Sequence, residues 1–535
     1  MKKILYCAAA LVLASCGGVK SSQVLVTSEA GDKCANGKTV VFRVSDADDA
    51  IVINTEDKRQ TIDGFGGSLT ESSAFVLACL TPEERQAILR ELFSEDGANF
   101  TLTRTQIGAS DFSVEGKYSL CEEEGDVEMR SFSLDRDKEG FSKEKYPRIK
   151  DEHYDLYHLM MDVKAIKESQ PDPTLRIIAN TWTAPAWMKD NKLYYERQNG
   201  IERGGLLLKE YYQAYADYLA CYLRAYRQEG VEIWAMSPVN EPQGNGGGWE
   251  SMDMSPEVEA DFIGKYMGPT LEREGFGHVK ILGFDQNIGE VLPYADAIYN
   301  DSLAAAYTPG IALHWYGDTK TCMHEYLDAL HEAYPEKFFI HTEGCIDNLG
   351  CSTGWDAVQD KEGYQEHDFF GNDSFWWNEL ATDWAYSTPQ GETHPKYAAV
   401  HRYAAYIIDG MNHWMTGFAD WNIVLDEIGG PNHVQNFCGA EVMVNAEEGV
   451  IYYTPYYYAL KQLSLSMRPG DRVLGVSEPI RGELHLCAVE KADGSYAINM
   501  LNTSKEAIDF KLRIGEYVAE VNAPANSVQT IMVSL

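Results

Sequence analysis

Ser237-Pro238-Val239-Asn240-Glu241-Pro242 and Phe338-Phe339-Ile340-His341-Thr342-Glu343 decide the fold. Each is an apolar, strand-like run that stops at a glutamate and passes into loop residues, Gln243-Gly244-Asn245-Gly246 after the first and Gly344 after the second. A carboxylate at the C-terminal tip of a strand is the arrangement found on the rim of a (β/α)8 barrel. One such glutamate is as readily a solvated charge. Two of them, on different strands and facing one cleft, are the minimal equipment for cleaving a glycosidic bond.

Working outward from these runs, short apolar stretches alternate with longer helical patterns, the signature of βα units. The predicted strands are 61–65, 100–107, 175–182, 232–239, 279–284, 311–316, 338–342 and 416–422, eight in all, which is what a closed barrel requires. Thr81-Pro82-Glu83-Glu84 has capping-box spacing with Pro at the first helical position, and predicts a helix to Phe93. Further helices are predicted over 206–227, from Pro256 towards Arg273, and over 453–467. Both ends of the chain alternate like strands, over 24–54 and 473–535.

Several phrases occur in the order seen in glycoside hydrolase family 30, which the chain resembles from about Thr61 to its C-terminus. They are Gly64-Phe65-Gly66-Gly67-Ser68, Gly108-Ala109-Ser110-Asp111-Phe112-Ser113 and Thr181-Trp182-Thr183-Ala184-Pro185-Ala186-Trp187-Met188-Lys189. His314-Trp315-Tyr316, Asp420-Trp421-Asn422 and Gly429-Gly430-Pro431-Asn432 follow. The resemblance implies an α/β (β/α)8 TIM barrel with a side β-sandwich built from the two terminal segments. Together with an N-terminal signal read from its own residues, this divides the chain into a signal at 1–16, a tether and N-terminal strands at 17–58, the barrel at 59–467 and the rest of the sandwich at 468–535.

The resemblance also implies roles. Glu241, after strand four, matches the acid/base, and Glu343, after strand seven, the nucleophile of a retaining double displacement. Asn240 would bond the 2-hydroxyl of the reacting sugar, although an Asn there also caps a turn. Asp111 and Trp182 would bind outer hydroxyls, Arg104 would orient the carboxylates, and Trp421 would form the floor. Trp182 has core packing as its other reading. Tyr316 is placed to donate to Glu343, while His314 and Trp315 either line the same wall or are buried packing. Asn432 falls near the subsites, and Asp285 is a second nucleophile candidate, less well positioned.

Length and composition set the outer bounds. A chain of 535 residues suits a barrel plus a smaller module. The 82 acidic and 45 basic residues leave a formal charge of −37, which opposes nucleic acid and anionic membrane partners. With 11 Trp and 32 Tyr, there is aromatic surface to spare for stacking on sugar rings. Lys2-Lys3, the apolar run 4–13 and Leu13-Ala14-Ser15-Cys16 resemble a bacterial lipoprotein signal, with Cys16 lipidated and 17–23 as its tether. That predicts a cell-envelope protein held by its N-terminal lipid, on the periplasmic or the surface face. The other reading is an ordinary secretory signal.

Setting aside Cys7 and Cys16, nine of the 11 cysteines remain, an odd number that excludes complete internal pairing. Cys79, Cys221 and Cys487 read as small buried hydrophobes, and Cys345 and Cys351 are near enough in sequence to pair. No spacing resembles a zinc site, and no cofactor is implied. The expected substrate is an oligo- or polysaccharide with β-linked glucose, a β-1,6-glucan first. An exo-acting β-glucosidase or glucosylceramidase-like enzyme, a β-xylosidase or β-fucosidase, and a non-catalytic glycan-binding lipoprotein are the alternatives. The loops 243–251 and 346–368 are expected to decide linkage.

Overall fold

Eight parallel strands close into a barrel in the computed structural model, which describes residues 18–198, 201–243, 248–316, 323–346, 369–378, 381–382 and 396–535. Strands one to eight are Gly64–Leu69, Leu102–Gln106, Arg176–Asn180, Ala235–Ser237, Lys280–Asn287, Gly310–His314, Phe338–Glu343 and Met415–Asp420. Strand eight pairs with strand one, Phe418 against Phe65, and so closes the ring.

The two-residue period of a strand sorts the barrel interior into layers. Leu102, Ile178, Ala235, Leu282, Ala312, Ile340 and Ala419, one from each of strands two to eight, form an apolar ring low in the barrel. Two residues further along, the inward positions turn polar: Arg104, Asn180, Ser237, His314 and Thr342, all fully buried. Strand five departs from the count. Its register slips between Phe284 and Gln286, where Phe284 and Asp285 take φ values of 75° and 61°. This bulge sends Phe284 outward against Tyr294 and turns Asp285 into the polar layer.

Strand one is not where the apolar pattern puts it. Thr61 ends a long sandwich strand, Ile51–Thr61, and the barrel strand starts at Gly64. Glycines weaken a strand, so the run Gly64-Phe65-Gly66-Gly67 reads as a loop. Here close approach requires them: a Cβ on Gly67 would stand 2.6 Å from Oε1 of Glu441. Strand four is shorter than expected, and its last residue, Ser237, precedes Glu241 by a turn. The helix expected over 206–227 begins with a 3-10 turn at Lys209–Tyr211 and becomes α-helical at Tyr212–Gln228. The helix over Pro82–Phe93 carries its capping box, with Thr81 and Glu84 bonding each other's backbone.

The terminal segments meet in a β-sandwich. Gln23–Ser28 pairs antiparallel with Ser527–Val533, and Ile51–Thr61 lies between Ile508–Ile514 and Arg472–Val476. Their inner faces bury Phe42, Ile51, Leu486, Ile498, Leu512 and Ile531. Val19–Ser21 pairs with Val41–Arg43, so part of the stretch expected as a tether is a strand. Cys16 and the rest of the signal lie outside the described residues. So do Cys351, residues 244–247 and most of 346–368. Cys79 and Cys487 are buried, and Cys221 is half-buried. Among the described residues no helix is long and apolar enough to cross a membrane.

Candidate active site

Arg104 organises the C-terminal rim of the barrel. It has no exposure to solvent, and its guanidinium donates to carboxylates and amides from four other strands or their loops. Nε reaches Asn180 Oδ1 at 3.1 Å, Nη2 reaches Asn240 Oδ1 at 2.6 Å and Asp285 Oδ2 at 2.9 Å, and Nη1 donates to Glu343 Oε2. Only a planar fork of five donors can serve so many acceptors at once. The ring faces of Trp182 and Trp421 cover it, 4.8 and 5.5 Å from the guanidinium carbon.

Glu241 sits in a left-handed turn with φ of 49°, a conformation that a non-glycine side chain adopts only under constraint. The constraints are visible. Asn240 N donates to Thr181 O at 2.6 Å and Glu241 N to Asp285 O at 3.0 Å. The carbonyl of Pro238 accepts from Thr181 Oγ1 at 2.9 Å and Tyr215 Oη at 2.6 Å. The Asn-Glu-Pro turn is therefore fastened to strands three and five and aims Glu241 across the barrel mouth.

Glu343, 5% exposed, ends strand seven and accepts a 3.0 Å hydrogen bond from Tyr316 Oη on Oε1. Burial raises its pKa, while the charges of Arg104 and His314 oppose the rise. His314 bridges the second carboxylate and the bulge, with Nδ1 3.1 Å from Glu241 Oε1 and Nε2 3.1 Å from Asp285 Oδ1. Burial disfavours its charge, but Glu343, Asp285 and Glu241 outweigh burial and push its pKa up to about 9. At neutral pH it is an imidazolium donating from both nitrogens.

One oxygen of Glu241, one of Glu343 and a ring nitrogen of His314 lie within 4.8 Å of one another. Such a set has the composition of a metal site, and both nitrogens of His314 face carboxylates, those of Glu241 and Asp285. Asp285 is also spoken for. It accepts from Arg104, from Thr342 Oγ1 at 2.7 Å and from Asn180, and burial notwithstanding, Arg104 and His314 hold it well below the usual carboxylate range. Fully buried and bonded on all sides, it is no free nucleophile.

Asp111 lies in the turn after strand two. Its Oδ2 accepts from Asn436 at 3.4 Å, and its buried Oδ1 has no hydrogen-bond partner among the described residues. Burial, then the charges of Glu343, Glu241 and Glu250, push its pKa well up. Trp182 stacks on Trp421, with ring centroids 5.1 Å apart and 26° between planes, and Phe112 meets Trp421 edge-on. Such pairs contribute about 0.5–1.5 kcal/mol beyond burial. Trp182 is only 1% exposed, so the packing reading weighs as much as the sugar-facing one. Trp315 points away from the cleft, among Tyr403, Tyr406 and Phe418. His341 does the same, stacked on Phe418. Asn432 does not face the cleft group; its Oδ1 accepts from Val434 N and Asn436 N and so shapes the turn that presents Asn436.

Asn180, Thr342 and Asn436 escape sequence reasoning, and Asp285 enters it only as a less well positioned nucleophile candidate. For Asn180 and Thr342 a signal existed, since each sits two residues beyond a member of the apolar ring. Asp285 is concealed by its bulge, and Asn436 by a long loop.

The model of the glycosyl hydrolase family 30 TIM-barrel domain matches residues 62–376 and 355–467, and that of the family's beta sandwich domain matches 473–531. The chain belongs to glycosyl hydrolase family 30. It is an O-glycoside hydrolase. Putative glucosylceramidase 1 of Caenorhabditis elegans is 31% identical over 84% of this chain and 76% of its own length. Endo-1,6-beta-D-glucanase of Neurospora crassa is 24% identical over 78% of this chain and 72% of its own length. The solved structure of the endo-beta1,6-glucanase BT3312 superposes with a TM-score of 0.72 at 26% identity, covering 96% of this chain and 99% of that one.

Proposed function

We propose that this family 30 hydrolase cleaves β-linked glucose, a β-1,6-glucan in the first instance, by a retaining double displacement. The observation that carries the mechanism is the spacing of Glu241 and Glu343, whose nearest oxygens lie within 4.8 Å. Retaining glycosidases hold their carboxyl groups roughly 5–5.5 Å apart, whereas inverting ones leave about 6.5–9.5 Å for a water. Glu343, oriented by Arg104 and Tyr316, attacks the anomeric carbon and forms a glycosyl ester. Glu241 gives its proton to the departing oxygen, then takes one from the water that opens the ester. His314 donates to one oxygen of Glu241 and so leaves the other to meet the glycosidic oxygen. Asp111 Oδ1 is available to a sugar hydroxyl, and Asn240, held by Arg104, to the 2-hydroxyl.

The preference for a glucan rests on two supports. The endo-beta1,6-glucanase BT3312 matches over nearly the whole chain. A formal charge of −37 opposes approach to an anionic bilayer, where a glycolipid headgroup would have to be met. Glucosylceramide is the second reading, favoured by the relative of higher identity. Pustulan, glucosylceramide and an aryl xyloside assayed side by side test the choice, with NMR of the first product for stereochemistry. Faster turnover of pustulan and a β-anomer at the new reducing end are expected. An α-anomer would refute retention, and faster turnover of either rival would replace the substrate alone. Lipidation at Cys16 belongs to the same proposal; palmitate labelling lost in Cys16→Ser is its test.

A further inference from the structure

The mouth of the site contains an ion pair to which none of the roles above applies. Glu250, with no exposure, follows Trp249 in the loop after strand four, and His433, at the far end of the chain, meets it with Nε2 3.1 Å from Oε2, a charge contact whose angle lies outside hydrogen-bond geometry. The other ring nitrogen of His433, Nδ1, donates to the carbonyl of Ser113 at 2.8 Å, and the backbone N of His433 donates to the same oxygen at 3.1 Å. A nitrogen that donates to a carbonyl carries a proton, and a nitrogen facing a carboxylate favours one. Both nitrogens protonated means an imidazolium.

Three loops meet at this pair. Glu250 Oε1 accepts from Lys117 N, and the ring of His433 lies so close to Gly116 (φ 64°) that a Cβ there would approach within 2.4 Å. On one side, Ser113 closes the turn that carries Asp111, through Ser113 N to Ser110 O at 3.1 Å. On the other, His433 belongs to the turn 431–436 that presents Asn436, whose amide bonds Asp111. The same contact that joins the loops therefore sets the distance between Asp111 and Asn436.

We propose that His433 and Glu250 are positioning residues that clasp the loops after strands two, four and eight and hold Asp111 and Asn436 in register for the sugar. This rests on the sugar-site reading above, and it adds a control of affinity that titrates. Burial disfavours the His433 charge, but Glu250 and the Ser113 carbonyl raise its pKa above the ordinary value of about 6.5. The clasp is whole below that ordinary value and opens as pH rises through the folded-state value. Among the described residues, Glu71 from the first helix, Asp111 from the turn after strand two, and Lys189 and Tyr194 from the loop after strand three are charged or titrating groups that face the pair.

The test compares wild type, Glu250→Gln, His433→Gln and the double variant, measuring kcat and KM between about pH 5 and pH 9. The glycoside is whichever aryl glycoside wild type cleaves fastest, so an error in the sugar changes the substrate and not the comparison. In wild type KM rises on the alkaline side. Each single variant raises KM about tenfold at acid pH, the size of one hydrogen bond to the sugar lost when Asp111 is displaced, with a much smaller change in kcat and no remaining alkaline rise. The double variant matches the singles, because one contact is lost in all three. Wild-type KM in either variant, or a KM that keeps its pH dependence, overturns the proposal. Parallel loss of kcat and melting temperature overturns it too, as the mark of a structural defect.

Discussion

Arg104 on the second barrel strand donates to Glu343 at the end of the seventh, and through that bond a cation buried in the barrel orients the carboxylate proposed to attack the sugar. The same guanidinium holds Asp285 and Asn240, so the proposed nucleophile, the bulge and the turn of the proposed acid/base share one support.

Removing that support should destabilise the fold as well as the site. Arg104→Met would leave Asp285, and with it Glu343, as buried carboxylates without a cation. Breaking a buried pair in this way costs about 3–5 kcal/mol. Urea denaturation should register that loss, and a variant as stable as wild type would contradict the account.

Glu343→Gln should fold normally and lose on the order of 10⁵-fold or more in turnover, as nucleophile knockouts do. A 2-fluoro sugar should label Glu343, read by peptide mass spectrometry. Label on Asp285 instead would reverse the assignment made from its hydrogen bonds.

Glu241→Ala should slow poor leaving groups by about 10²–10⁴-fold, the usual worth of a general acid, while dinitrophenyl glycosides suffer far less. Azide should restore turnover and give a β-glycosyl azide. Equal damage to both kinds of substrate without rescue would remove Glu241 from the acid/base role.

His314 supplies a pH signature. Its pKa rises from about 6.5 in the unfolded chain to about 9 in the fold. Its stabilising contribution is thus complete below the lower value and is lost as pH climbs through the upper one. Melting temperature should fall by several degrees over that window. In His314→Asn the decline should flatten; an unchanged decline would locate the titrating group elsewhere.

A good part of this molecule was legible before any coordinates. Seven of the barrel's eight strands, the helix Pro82–Phe93 and the two glutamates follow from local rules: alternation of apolar runs, a capping box, a carboxylate where a strand stops. Those signals lie within a few residues of one another, so the sequence by itself determined them, together with the family resemblance that gave the glutamates their roles. What the tertiary structure alone decided involves partners far apart in the chain. Gly67 leaves room for Glu441, Asn436 reaches Asp111, and His433 meets Glu250. Strand one starts at Gly64 because close packing against distant groups overrides glycine's poor strand propensity. Asp285 faces inward because a one-residue bulge reverses the alternation that would have pointed it out. Propensity and period act along the chain, whereas packing and charge pairing act through space, and the site is built where the second kind prevails.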